Sequence, residues 1–128
     1  MEQDYLYEEN ILDHYRNPKN KIEKDWAVCD CVGYGENADC GDNAELYLNI
    51  KEGKLIGASW SGNGCALSQA GMSMLCEKIN KEKVILEKVK LWSPAVIYGL
   101  LGVKISPSRV NCALLSYKCL ENALKKID

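Results

Sequence analysis

The chain has 128 residues, 47% of them hydrophobic, and a formal net charge of −2 at pH 7. This length and apolar content predict one domain, spanning 1–128, that buries a core without disulfide bonds. The weakly acidic balance and the scattered lysines exclude a basic nucleic-acid surface, and no apolar stretch in the sequence is long enough to cross a membrane.

The first predicted element is a helix over 5–15, with Asp4 as its cap and Asn17-Pro18 as its end. The side chains expected to be buried are Leu6, Ile11, Leu12 and Tyr15. A long polar loop follows from 19 to 42 and delivers Cys40 to the surface. Within this loop, a weak pattern over 26–34 indicates an early strand.

Alternating residues then predict a β-hairpin. Its turn is 51–54, and one face of its two strands carries Ala44, Leu46, Leu48 and Ile50, followed by Ile56, Ala58 and Trp60. The next apolar pattern has helical spacing over 66–79, which places Cys65 at a helix N-terminus.

Two further helices are marked by serine-proline pairs. Ser93-Pro94 opens a short helix that ends at Gly102, and the last helix begins at 106–108. Cys112 then lies in the first turns of this last helix, whose expected apolar face is Val110, Leu114, Tyr117, Leu120 and Leu124. The elements together predict an α+β fold, with a small antiparallel sheet and helices packed on one side of it.

Three of the seven cysteines stand where a loop meets a strand or helix. Cys40, Cys65 and Cys112 are 25 and 47 residues apart, and Asp42 adds a carboxylate two residues after Cys40. Structural zinc sites usually use paired C-x-x-C clips, so a site of single, distant ligands is assembled by the fold. Near helix N-termini, the thiols of Cys65 and Cys112 are expected to ionise more easily.

The residues of this pattern occur within four longer strings. These are Ile11-Leu12-Asp13-His14-Tyr15-Arg16-Asn17-Pro18-Lys19-Asn20, Cys40-Gly41-Asp42, Gly64-Cys65-Ala66-Leu67-Ser68 and Arg109-x-x-Cys112-Ala113-x-Leu115. In order and spacing they resemble the family of iron–sulfur cluster assembly scaffolds that comprises IscU, SufU and the N-terminal domain of NifU. The resemblance implies that Cys40, Asp42, Cys65 and Cys112 bind iron in a transient [2Fe-2S] cluster.

The resemblance also implies a function. Such a scaffold accepts sulfur from a cysteine desulfurase, assembles the cluster and transfers it to apo iron–sulfur proteins, without turning over a substrate of its own. Asp42, an oxygen ligand, binds iron less tightly than a fourth thiolate would, so the cluster can leave. A homodimer is left open, no nucleic-acid or membrane partner is expected, and the acidic N-terminus predicts a cytoplasmic protein.

Two alternatives remain. A zinc-dependent sulfurtransferase of the SufU type would hold zinc with the same four residues and take a persulfide on one thiol, Cys40 by preference. Arg109 and the absence of a histidine at Asn111 favour this alternative, whereas the absence of the SufU insertion between the second and third cysteines opposes it. The other alternative is a structural zinc-binding interaction domain.

The remaining candidates have simpler interpretations. Arg109 either supports the Cys112 thiolate or a persulfide, or is a solvated arginine at a helix start. Cys76 and Cys119 are expected to be buried as small apolar side chains. Cys29 and Cys31 form a C-x-C pair that is a candidate redox or metal clip. His14, the only histidine, is expected at the surface or against a partner.

Overall fold

The computed structural model describes residues 8–24 and 27–127. The elements in chain order are α1 (Glu9–Arg16), β1 (Cys31–Asn37), β2 (Asp42–Lys51), β3 (Lys54–Asn63), α2 (Ala66–Glu82), α3 (Leu86–Val89), α4 (Pro94–Leu101), a 3₁₀ turn (Pro107–Arg109), α5 (Val110–Ala113) and α6 (Leu115–Leu124). Among these residues, no helix has both the length and the apolar character needed to cross a bilayer.

The three strands form one antiparallel sheet in the order β1-β2-β3. Helix α2 packs on β3, and α6 packs on β1 and β2. The core between sheet and helices is apolar because the alternating side chains of β2 and β3 point toward the two helices. Its fully buried members include Leu46, Leu48, Trp60, Leu67, Leu75 and Leu120. The predicted α+β architecture is confirmed.

The predicted hairpin is present, but one of its core positions was wrong. Ile56 is exposed, whereas its neighbour Leu55 is fully buried. The cause is a β-bulge, since Asn49 pairs with Gly57 while Ile50 pairs with Leu55. An extra residue in one strand reverses the alternation beyond it, so the sequence pattern that fits Ala58 and Trp60 fails at Ile56.

Helix α1 begins later than predicted, and it buries a different face. Asp4, Leu6 and the other predicted residues before Glu8 lie outside the described part of the chain. Ile11 is buried as expected, but Tyr15 is exposed and His14 is buried. The prediction of a surface His14 was wrong because this residue shares a face with Ile11, three positions earlier. Its Nδ1 lies 2.7 Å from the Ser73 hydroxyl of α2.

The segment before the sheet is more ordered than a polar loop. The Trp60 N–H donates to the Asn20 carbonyl at 3.0 Å, and the Ile22 N–H donates to the Trp60 carbonyl at 2.8 Å. These bonds cover the outer edge of β3, which would otherwise expose unpaired backbone groups. The early strand exists as β1, but it begins at Cys31, five residues after the start of the weak pattern over 26–34. Trp26 is outside the described residues.

The two serine-proline signals have different outcomes. Ser93 caps α4 by accepting the Ala95 N–H at 3.3 Å, and Gly102 ends it with φ +70°, as predicted. The last helix, however, is interrupted at Leu114, whose ψ of 9° departs from helical geometry. The break rotates the second part, so that Leu115 and Cys119 are buried while the predicted Leu114 and Tyr117 are only half-buried.

Close packing of β1 on α6 gives the first prediction. A Cβ at Gly33 would overlap the Cys119 carbonyl and approach the Ala123 nitrogen to 2.6 Å, both backbone atoms that cannot move aside. We expect Gly33→Ala to lower the free energy of unfolding by about 1–3 kcal/mol. Urea denaturation measures this loss.

The matched control is Gly99→Ala in α4, where a Cβ meets nothing within 4 Å. Alanine has the higher helix propensity, so this variant should be as stable as the parent or up to about 1 kcal/mol more stable. Equal unfolding midpoints for Gly33→Ala and the parent protein would contradict the close contact between β1 and α6.

Candidate metal centre

The β1–β2 hairpin presents Cys40 at its turn. Asn37, the last residue of β1, pairs directly with Asp42, the first residue of β2. The turn between them carries Cys40, which is exposed, followed by Gly41 with φ +73°. A glycine suits this left-handed conformation because other residues are strained there. The turn therefore places the Cys40 thiol where another molecule can reach it.

Asp42 and Cys65 are held together at the start of α2. Cys65 is the N-cap residue of this helix, and its backbone N–H donates to Oδ1 of Asp42 at 2.9 Å. The Cys65 thiol lies 3.6 Å from the other carboxylate oxygen, Oδ2. Asp42 is only 2% exposed. One oxygen thus anchors the carboxylate to the backbone, while the other faces the thiol.

Gly64 makes this close approach feasible. A Cβ at this position would lie 2.6 Å from both Asp42 Oδ1 and the Ser68 hydroxyl. Any larger residue would push the buried carboxylate away from Cys65. The two glycines beside the motif cysteines therefore serve different purposes, a turn conformation at Gly41 and a close contact at Gly64.

Cys112 lies in the short helix α5 and is 1% exposed. Its thiol is 3.5 Å from the Cys40 sulfur. The side-chain amide of Asn37 also donates to the Cys112 sulfur at 3.4 Å. The structure thus brings Cys40, Asp42 and Cys112 into one cluster, which Cys65 joins through its contact with Asp42. These residues come from a turn, a strand and two helix starts.

The pKa of Cys112 contradicts the expectation that this thiol ionises easily. The pKa of Cys112 is raised to about 12, mainly by burial, with further contributions from hydrogen bonding to Cys40 and from the nearby Cys65. Helix α5 has only four residues, so its dipole is too small to offset the loss of hydration. A Cys112 thiolate therefore requires a nearby cation, and a bound metal would supply one.

The donor set and its spacing fit such a metal. Cys40, Asp42 and Cys112 offer ligand atoms that all lie within 4.8 Å of one another. Metal–ligand bonds of about 2.3 Å to sulfur and 2.1 Å to oxygen give tetrahedral edges of about 3.8 Å between sulfurs and about 3.6 Å between sulfur and oxygen. Two contacts approach these values, 3.5 Å from Cys112 to Cys40 and 3.6 Å from Cys65 to Asp42. Cys65 is outside the mutually close set and reaches it through Asp42.

Of the other candidates, His14 is separate from this cluster. His14 bonds to Ser73, which lies eight residues beyond Cys65 and therefore roughly 12 Å along α2. Asn111 is exposed, and Arg109 is half-buried in the 3₁₀ turn, where its predicted support of Cys112 stays a prediction.

The four cysteines outside the cluster have different environments. Cys76 and Cys119 are fully buried, as predicted. Burial raises the pKa of Cys119 to about 12 and also raises that of Cys76, so neither thiol is suited to ionise. Cys31 is buried and donates to the Ala123 carbonyl at 2.9 Å, whereas Cys29 is half-buried. Because the Cys31 thiol is hydrogen-bonded to the backbone of α6, the structure does not support a redox or metal site formed by Cys29 and Cys31.

Sequence reasoning missed Asn37. The signal available was its place three residues before Cys40, but an asparagine before a turn ordinarily indicates only the turn. Asn37 also lines a cleft of about 750 Å³ beside the cluster, together with Asp39, Asn111, Tyr117 and Lys118. The exposed turn and this cleft form one continuous surface next to the candidate centre.

Comparison with known proteins gives a consistent picture. The profile of the family described as NifU-like N terminal domain matches residues 6–128. The chain is 32% identical to the iron-sulfur cluster assembly scaffold protein IscU of Thermotoga maritima, covering 96% of this chain and 95% of that protein. It is also 32% identical to the zinc-dependent sulfurtransferase SufU of Bacillus subtilis, covering 96% and 92% respectively.

Solved structures agree. A crystal structure of a protein assigned as a scaffold for the SUF system of Fervidobacterium islandicum superposes with a TM-score of 0.67 at 32% identity, covering 93% of this chain and 96% of that one. The N-terminal part of a NifU-like protein from Brucella abortus gives a TM-score of 0.74 at 18% identity, over 97% and 95% of the two chains, which supports the fold.

Proposed function

Because the chain belongs to the NifU-like N-terminal domain family, we propose that it is an iron–sulfur cluster assembly scaffold. It accepts sulfur from a cysteine desulfurase, assembles a [2Fe-2S] cluster and transfers the cluster to apo-proteins. The observation that carries this proposal is the convergence of three thiols and one carboxylate at an exposed turn. Thiolates are the ligands that iron–sulfur clusters require, and exposure is what a transferable cluster requires.

The four ligands have unequal roles. Cys112 is buried and Cys65 is half-buried at a helix start, so both sulfurs are fixed by the surrounding structure. Cys40 is exposed on the turn and is free to meet a partner. Asp42 supplies an oxygen, which binds iron in a sulfur-rich site less tightly than a thiolate. Fixed ligands retain the cluster during assembly, and the oxygen ligand allows its release.

Sulfur delivery follows from the exposure of Cys40. The Cys40 thiolate attacks the outer sulfur of a persulfide on the desulfurase, and the sulfur–sulfur bond of the donor breaks. The donor cysteine leaves as a thiolate, and the outer sulfur stays on Cys40. The exchange needs no oxidant or reductant, and the protein is changed only by the sulfur that it carries.

A zinc-dependent sulfurtransferase is the second candidate. It is favoured by the 3.5 Å between the Cys40 and Cys112 sulfurs, which approaches one edge of a tetrahedral site, and by an identity to SufU equal to that with IscU. The same four residues would hold the zinc, whose charge would keep the thiols ionised. A purely structural zinc domain is disfavoured because structural zinc sites are closed, whereas Cys40 is exposed.

In the scaffold role the protein is not an enzyme, since it carries a cluster to other proteins and turns over no substrate of its own. We propose that 1–128 acts as a single unit whose partners are a cysteine desulfurase and apo iron–sulfur acceptors. The cytoplasmic location stays an expectation. Whether two copies of the chain form a homodimer stays a question for experiment.

Metal and sulfide analysis tests the function. Protein purified without oxygen and then incubated with desulfurase, cysteine, ferrous iron and a thiol reductant, which supplies the electrons that turn persulfide sulfur into sulfide, should contain two irons and two acid-labile sulfides per cluster. Stoichiometric zinc without sulfide, retained under the same conditions, would favour the sulfurtransferase. Protein that binds neither would contradict both candidates.

We also predict where the transferred sulfur first appears. After reaction with desulfurase and cysteine, peptide mapping should find the persulfide mainly on Cys40, because this is the exposed thiol of the cluster. A Cys40→Ser variant should lose most of the labelled sulfur, whereas Cys29→Ser should keep it. Persulfide found chiefly on Cys29 or Cys31 would assign sulfur acceptance to the C-x-C pair instead.

A further inference from the structure

The turn that carries Cys40 is bracketed by two polar side chains, and each contacts a different cysteine. On the β2 side, Asp42 contacts Cys65. On the β1 side, Asn37 contacts Cys112, through a hydrogen bond of 3.4 Å from its amide Nδ2 to the sulfur. Asn37 and Asp42 are paired across the hairpin. The hairpin end that carries Cys40 therefore also contacts the sulfurs of Cys65 and Cys112.

Asn37 is well placed for this contact. Its side chain is buried, with 8% exposure, and it points into the cluster from the end of a strand. Cys112 is buried on a helix of four residues, so that helix alone does not fix the direction of its sulfur. An N–H donor aimed at a thiolate sulfur stabilises the lone pairs of the sulfur and orients it, as outer hydrogen bonds do at metal ligands generally.

We propose that Asn37 is a positioning residue of the metal centre, which holds Cys112 as the fixed ligand through its side-chain N–H. Cys112 then stays bound while Cys40 exchanges sulfur with partners. This inference rests on the proposed function, because it requires that Cys112 binds a metal. It assigns a role to a residue outside the four ligands, and it accounts for a polar side chain buried beside the sulfurs.

Cobalt binding tests the inference, since Co²⁺ occupies zinc sites and its thiolate charge-transfer absorption reports on the sulfurs. We expect Asn37→Ala and Asn37→Leu, which both lack the N–H donor, to lower the Co²⁺ and Zn²⁺ affinity about 10- to 100-fold. The thiolate-to-cobalt band should also move to longer wavelength, because a sulfur without the hydrogen bond gives up an electron more easily. A change in hairpin stability alone would not move this band.

Asn111→Ala is the matched control, because it removes an exposed asparagine next to Cys112 and should leave both affinity and band unchanged. Parental affinity and parental band in both Asn37 variants would overturn the inference while leaving the centre intact. If the parent protein itself shows no thiolate-to-cobalt band, the proposed centre fails. Asn37→Leu keeps the shape of the side chain, and if it fails to fold without metal, as judged by circular dichroism, Asn37 serves the fold and the inference is likewise overturned.

Discussion

Serine in place of Cys40, Cys65 or Cys112 is expected to weaken zinc binding about hundredfold or more in each single variant, and to prevent stable cluster assembly. Zinc sites of four ligands bind with about 10–16 kcal/mol, so one thiolate contributes roughly 3 kcal/mol, or a factor of about 100 in the dissociation constant. A serine hydroxyl does not replace it, since it remains protonated at neutral pH and is a poor ligand for soft metals.

Competition with a chromogenic chelator measures the affinities, and anaerobic reconstitution measures cluster formation. Cys76→Ala and Cys119→Ala are the controls, because both thiols are fully buried outside the cluster. These two variants should lose about 1 kcal/mol of stability through the missing packing and keep the parental affinity. A uniform loss of metal in all five variants would mean that the fold, not a ligand set, had been disturbed.

The sheet was predictable from the sequence because its signals are local. Alternation over Ala44, Leu46 and Leu48 requires one face to be buried, and the turn residues fix which strands pair. The same reasoning failed at Ile56, since a bulge depends on the facing strand and leaves no mark in its own strand. It failed again at Leu114, where the helix breaks although no proline or glycine stands there.

The candidate site was predictable to a different degree. Cys40, Asp42, Cys65 and Cys112 were proposed as ligands from their chemistry, from the glycines beside Cys40 and Cys65, and from the family resemblance, without knowledge of any distance. The pKa of Cys112 was predicted in the wrong direction because sequence shows a helix start but not the depth of burial, and here burial has the larger effect. Asn37 was missed because its contact with Cys112 joins residues 75 positions apart.

Asp42 has two functions in the structure, and they can be separated by mutation. Oδ1 accepts the backbone N–H of Cys65, and Oδ2 faces the sulfur as a candidate ligand. Asp42→Asn keeps an oxygen for the N–H and removes the charge. We therefore expect Asp42→Asn to fold normally, whereas Asp42→Ala leaves the half-buried N–H of Cys65 unpaired and lowers the free energy of unfolding by about 1 kcal/mol.

Asp42→Cys should convert a site that releases its cluster into one that keeps it. A fourth thiolate binds iron more tightly than a carboxylate, so an acceptor's thiol displaces it less readily. If the barrier to transfer rises by only about 1.4 kcal/mol, transfer slows about tenfold, and the lifetime of the visible cluster absorption lengthens. Transfer to an apo-ferredoxin without oxygen gives the rate, and Asp39→Asn, which alters an exposed carboxylate of the same turn, should leave it unchanged. An Asp42→Cys protein that assembles its cluster and transfers it as fast as the parent would show that the oxygen ligand does not control release.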